Sequence, residues 1–181
     1  MKRIALILIY NLCLSFLCAQ TNYYTESTTF NEDDYIYQID VLSSGFVELY
    51  NQDNQWIGSY PMYKSNGTIF VQPEYGYIDL YDNDSWADSE NKMNSIIKGA
   101  LTIAEQNSVK GSKLYIELHI NSTTGKVDDV KFSFSNRNSW VNISVPTYRK
   151  MELQIKDQLF YNLTDDGRKL TYIFTWNSIE F

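Results

Sequence analysis

Three observations predict an α+β fold for this chain. Between about residues 22 and 82, short runs rich in Tyr, Ile and Val are separated by turn residues, the pattern of an antiparallel β-meander. From about residue 85 to 177 the apolar period changes in the order helix, strand, strand, helix, strand. Beyond residue 19 no apolar run approaches the roughly 20 residues that a membrane-spanning helix requires, so both halves are expected to fold in water.

The first residues read as an address. Met1-Lys2-Arg3 is basic, residues 4–17 are largely apolar, and Cys18-Ala19-Gln20 offers a small-residue cleavage position, the order of a secretory signal. Residues 1–19 are therefore expected to be a signal peptide, with lipidation at Cys18 as the alternative to cleavage after Ala19. The protein is expected to be exported, whether periplasmic, outer-membrane-associated or extracellular. Residues 20–181 are expected to form a single α+β domain, divisible at most into subdomains 20–83 and 84–181.

Both cysteines, Cys13 and Cys18, lie in that segment, so cleavage after Ala19 leaves neither a thiol nor a disulfide and puts stability on the core alone. Losing Lys2 and Arg3 takes the formal charge from −7 to −9. An acidic surface disfavours nucleic acid and anionic lipid, whose phosphates need Lys and Arg.

Residues 35–41 put Tyr35, Tyr37, Ile39 and Val41 on one face of a strand, and Ser43-Ser44-Gly45 turns the chain. Residues 46–50 and 55–60 flank a polar connection of hairpin length. Residues 68–71 and 75–81 complete an expected meander of five or six strands. Asp82-Asn83-Asp84-Ser85 supplies oxygens that can cap a helix. Trp86, Met93, Ile97, Ala100 and Ala104 then form one stripe over five or six turns. Gly99 inside that helix marks a place of close approach by another element.

In residues 114–120 every even position is apolar, which predicts a strand; Asn121 to Lys126 turns, and Val130, Phe132 and Phe134 return as the second arm of a hairpin. Pro146 suits a helix start, and Tyr148, Met151, Ile155, Leu159 and Leu163 line one face up to Asp165-Asp166-Gly167. A last strand spans residues 170–176.

This second-half order, with its phrase from Leu118 through Gly125 to Val130, resembles the C-terminal domain of TonB and related envelope proteins, though without the Tyr-Pro that precedes the first helix there. The phrases Val47-Glu48-Leu49-Tyr50-Asn51, Ser122-Thr123-Thr124-Gly125-Lys126-Val127 and Pro146-Thr147-Tyr148-Arg149 are similar to an uncharacterised secreted family of Bacteroidetes-type bacteria. That resemblance implies an envelope location and no particular chemistry.

Candidate chemistry is sparse. His119, the single histidine, shares a strand face with Tyr115 and Glu117, and this is read as a partly covered strand face and not as a catalytic group. Asp82, Asp84 and Asp88 depart from a calcium loop at Trp86, and one histidine cannot build a zinc site, so no metal, cofactor or catalytic residue is assigned. Asn-x-Ser/Thr triplets at Asn66, Asn83, Asn121, Asn142 and Asn162 are read as turn and cap chemistry.

The aromatic residues point further. Trp56, Tyr60, Tyr63, Tyr75 and Tyr77 cluster in sequence, and flat apolar rings beside Asn, Asp and Gln are what a sugar or extended-peptide site needs. The expected function is a non-enzymatic, secreted or envelope binding protein whose partner is a protein, peptide or glycan. Its rivals are a carboxylate-dependent hydrolase of envelope or dietary polymers using Glu117, Asp128 or Asp129, and a structural subunit of a surface assembly.

Overall fold

A computed structural model of the chain describes residues 24–32 and 34–181. The expected signal segment, with both cysteines, lies outside the described residues. The fold is α+β, as predicted, and rests on one six-stranded sheet. Its strands are β1 (Thr28–Glu32), β2 (Tyr35–Val41), β3 (Phe46–Asn51), β4 (Lys113–Asn121), β5 (Val127–Ser135) and β6 (Tyr172–Glu180). They pair antiparallel in the order β1-β2-β3-β5-β4-β6, so strands from both halves of the chain share the sheet.

Alternation along the strands decides which face is dry. Leu114, Ile116, Leu118 and Ile120 of β4 are fully buried, as are Val47 and Leu49 of β3 and Phe132 and Phe134 of β5. Helices α1 (Asn83–Ala100) and α3 (Val145–Gln158) cover that face. Met93 and Ile97 of α1 and Tyr148, Met151 and Ile155 of α3 have no exposed surface. Burying such side chains contributes roughly 1.5–3 kcal/mol each, which holds the core of the described residues, where no cysteine occurs.

One charged group lies within this core. Glu152 of α3 is fully buried and accepts a hydrogen bond from the Tyr37 hydroxyl of β2. Arg149 and Lys156 each stand 2.8 Å from one of its oxygens. Two cations of the same helix and a phenol compensate the cost of taking a carboxylate out of water, and the Tyr37 bond ties α3 to β2.

The first half differs from expectation in extent. Only β1 to β3 are regular strands, and residues 52–82 are an irregular segment with isolated bridges Met62↔Ile69, Tyr63↔Leu170 and Tyr81↔Leu163. Pro61 and Pro73 remove ladder donors, and Gly67 takes φ 70°, a turn conformation that a strand cannot use.

Both predicted helices also stop early. The first ends at Ala100 because Thr102 starts a new helix, α2 (Ile103–Ser108): the Thr102 side chain accepts from the Glu105 N–H while the Glu105 carboxylate accepts from the Thr102 N–H. Asp82 occupies the N-cap position of α1 but makes no side-chain cap bond. Ser85 accepts instead from the Asn162 N–H at 2.8 Å. Gly99 has open space where a Cβ would stand, so packing does not require a glycine there, although Lys150 of α3 donates to its carbonyl at 3.4 Å. Likewise α3 ends at Gln158, and Asp165–Arg168 forms a short helix, α4, capped by the Thr164 hydroxyl rather than a simple stop.

The β4–β5 hairpin is as predicted. Gly125 at its turn has φ 77°, and a Cβ there would stand 2.2 Å from the Tyr161 carbonyl oxygen, so the turn packs directly on the backbone that follows α3.

Candidate functional site

The irregular segment 52–82 builds the site by folding over one end of the sheet and past its β6 edge. Trp56 N–H donates to Asp129 Oδ2 at 2.8 Å, Asn54 Nδ2 donates to the Val130 carbonyl at 2.9 Å, and the Trp56 ring stacks on Tyr172 at 4.6 Å. Residues 62–64 then run antiparallel to residues 169–171: Lys64 N–H donates to the Lys169 carbonyl and Thr171 N–H to the Met62 carbonyl, each at 2.8 Å. Beyond that point β6 continues with nothing paired to its outer edge among the described residues.

A cavity of about 780 Å³ opens beside this edge. One wall is β6, with Phe174, Thr175 and Trp176; Tyr60 and residues 69–72 face it; Tyr77, Asp79, Leu80, Tyr81 and Trp86 close the rest. Register explains why both faces of β6 contribute. Thr175 pairs with Leu118 and turns toward the helices, whereas Phe174 and Trp176 pair with His119 and Glu117 and turn to the opposite face. Tyr60 is 68% exposed, Tyr77 72% and Trp176 60%, so the rings are available to a ligand as well as to one another.

Three polar side chains of the cleft are engaged within the protein. Gln72 bonds both ways to the Ile78 backbone, at 2.8 and 3.1 Å. The Tyr81 hydroxyl and Thr175 Oγ1 are 3.0 Å apart. Burial raises the Tyr81 pKa, the bond to Thr175 opposes this, and Tyr77 and Asp79 add to the rise, so the phenol stays protonated. Asp79 is the one carboxylate in the lining.

The family model of a domain of unknown function, DUF5043, matches residues 20–176. The chain belongs to that family. A crystal structure of a DUF5043 family protein from Bacteroides uniformis ATCC 8492 is similar, with a TM-score of 0.77 and 27% identity, over 87% of this chain and 86% of that one. A Bacteroides relative accords with the Bacteroidetes-type resemblance in the sequence. No curated protein matches the chain.

Of the five aromatic residues singled out by sequence, this DUF5043 fold brings Tyr60 and Tyr77 into the cleft. Trp56 is half-buried against Tyr172, Tyr63 packs edge-on to Phe70 at 5.8 Å, and Tyr75 is 86% exposed outside the lining. Phe70, Tyr81, Trp86, Phe174 and Trp176 are cleft residues that sequence clustering missed. The alternation of Phe174 and Trp176 was visible, but which side of β6 would be open depends on the sheet order.

His119 shares its face with Tyr115 and Glu117, as alternation requires, but it is almost fully buried. Its ring lies 5.2 Å from Tyr172 and 5.9 Å from Phe174. Glu117 stands 3.4 Å from Nε2, yet that carboxylate is shared with Lys131 at 3.0 Å. Burial, and secondarily Lys131, pushes the imidazole down to about 4, so it is neutral. Burial works against the Lys131 ammonium, but Glu117 and Glu48 outweigh it and raise its pKa. Among the described residues no group of three or more His, Cys, Asp or Glu could hold a metal ion.

Proposed function

We propose that the protein is a non-enzymatic binding protein of the cell envelope or the secreted fraction, and that its ligand sits in the aromatic cleft beside β6. One observation carries this reading: Tyr60, Tyr77, Phe174 and Trp176, drawn from three separate stretches of chain, are exposed together around one cavity of about 780 Å³. Rings left in water while the core is closed represent apolar area that a ligand can still bury. Export rests on the sequence of residues 1–19, and a single domain over residues 20–181 is supported by the shared sheet.

The hydrolase reading finds less support. Glycoside hydrolysis needs two carboxyl groups across a cleft, and this lining offers Asp79 alone. Asp129 is 3% exposed and accepts the Trp56 N–H, and Asp128 accepts from Asn121.

A combined array of glycans and peptides tests the proposal. Ligands retained by the wild-type protein are expected to lose roughly tenfold or more in affinity on Trp176→Ala, because an aromatic anchor at the centre of a site commonly carries 1.4 kcal/mol or more of binding. Trp176 is largely exposed, so the variant should keep its fold. Unchanged binding by Trp176→Ala would locate the ligand elsewhere.

A further inference from the structure

We infer that the β6 edge of this cleft accepts an extended peptide bearing apolar and basic residues, which adds to the sheet as a seventh strand. The inference rests on the binding reading above and names its ligand class.

The edge is open and unprotected. Beyond the Met62–Thr171 bond, residues 173–180 make no backbone hydrogen bond on their outer side among the described residues. Edge strands usually carry Lys, Pro or a bulge that prevents pairing with another chain. Residues 172–180 contain no Lys, Arg or Pro, and β6 holds an unbroken register against β4 from Tyr172 to Glu180. An open edge over residues 173–180 with exposed Phe174 and Trp176 is a template for strand addition. The chain already uses the neighbouring stretch in this way, since residues 62–64 pair with residues 169–171 before Pro61 turns off to accept the Phe70 N–H.

Chemistry then selects the occupant. A sugar needs many directional side-chain partners; Gln72, Thr175 and Tyr81 are already bonded within the cleft, which leaves it Asp79 and the polar edges of Tyr60, Tyr77, Trp86 and Trp176. A peptide needs only the free main-chain groups of β6, with side chains alternating into the aromatic walls. Asp79 is the cleft's single charge and has no ion-pair partner among the described residues. With a net charge of −7 overall, the surface favours a cationic strand and disfavours a second copy of this chain.

The test uses labelled heptapeptides that alternate Val, Phe or Tyr with Lys or Thr, titrated against the full-length exported protein. The tightest binder is resynthesised in two forms, N-methylated on the odd or on the even residues. Strand addition uses only one alternate set of peptide N–H groups, so one form should lose about tenfold or more in affinity and the other should keep it. Asp79→Asn should weaken Lys-containing members roughly fivefold and leave Thr-containing ones unchanged. Equal binding by both N-methyl forms would overturn strand addition while leaving the cleft as a binding site, as would binding of glycans alone with sensitivity to Trp176→Ala. A stable dimer whose β6 amides resist exchange without peptide would replace the peptide with a second copy. Failure of every peptide and glycan to sense Trp176→Ala would overturn both readings.

Discussion

Gly167→Ala is expected to lower the stability of the fold by on the order of 3 kcal/mol, the upper end of what overpacking costs. A Cβ at Gly167 would stand 2.1 Å from the Leu80 carbonyl oxygen and 3.0 Å from Ile173 Cδ1. Neither neighbour retreats easily. Leu80 O accepts the Thr164 N–H at 3.2 Å, Asp79 O accepts the Thr164 hydroxyl at 2.7 Å, and Asp82 N–H donates to Asn162 O at 2.9 Å. Relief therefore requires residues 79–82 to move, and Asp79, Leu80 and Tyr81 form a wall of the cleft. Urea unfolding should show a lower midpoint with an unchanged slope, and ligand affinity should fall as well. Gly99→Ala supplies the contrast. It lies in the last turn of α1 with nothing within 4 Å of its Cβ position, so alanine should stabilise by about 0.5 kcal/mol. Equal effects at the two glycines would refute the packing described for α4.

The second large effect concerns pH. His119 titrates near 6.5 in an unfolded chain and at about 4 in the fold. Between those values the unfolded chain binds a proton that the folded chain refuses. The stabilisation from neutral His119 is thus complete above pH 6.5 and is lost as pH falls toward 4, by roughly 3 kcal/mol. Glu117 and Asp129 run the other way. Burial raises both, though Lys131 opposes this at Glu117 and the Trp56 N–H opposes it at Asp129. Their contribution favours the fold at low pH and is lost as pH rises through their folded values. Comparison with His119→Gln, in which both carboxylates remain, isolates the imidazole. The stability advantage of wild type over the variant should shrink by roughly 3 kcal/mol between pH 7 and pH 4, read from urea midpoints. A constant difference would mean that His119 takes up its proton at the same pH in the fold as in the unfolded chain, against its burial as a neutral imidazole.

The elements legible in the sequence are those set by local periodicity. The alternation of Leu114, Ile116, Leu118 and Ile120 identified β4 and its dry face, and Pro146 with Tyr148, Met151 and Ile155 identified α3. The stretch from 52 to 82 resisted the same reasoning, because Tyr and Ile there serve a segment stapled to distant residues: Trp56 to Asp129 and Tyr172, residues 62–64 to residues 169–171, Tyr81 to Thr175. Those contacts join residues 73 or more positions apart, and no window of neighbouring residues reports them. For the same reason sequence clustering found Tyr60 and Tyr77 but not Phe174 and Trp176, which become a site only because β6 is the last strand of the sheet. Alternation puts His119 on its observed face, but its neighbours there, Tyr172 and Phe174, come from the distant β6.

The location of the ligand can be read from the four indole N–H signals of the protein, Trp56, Trp86, Trp140 and Trp176. Trp86 and Trp176 line the cleft; Trp140 is buried, and Trp56 stacks on Tyr172 outside it. In a heteronuclear NMR titration with the tightest array ligand, the Trp176 and Trp86 signals should move while those of Trp56 and Trp140 stay. Movement of Trp56 or Trp140 with Trp176 and Trp86 unmoved would contradict the assignment of the cleft as the binding site.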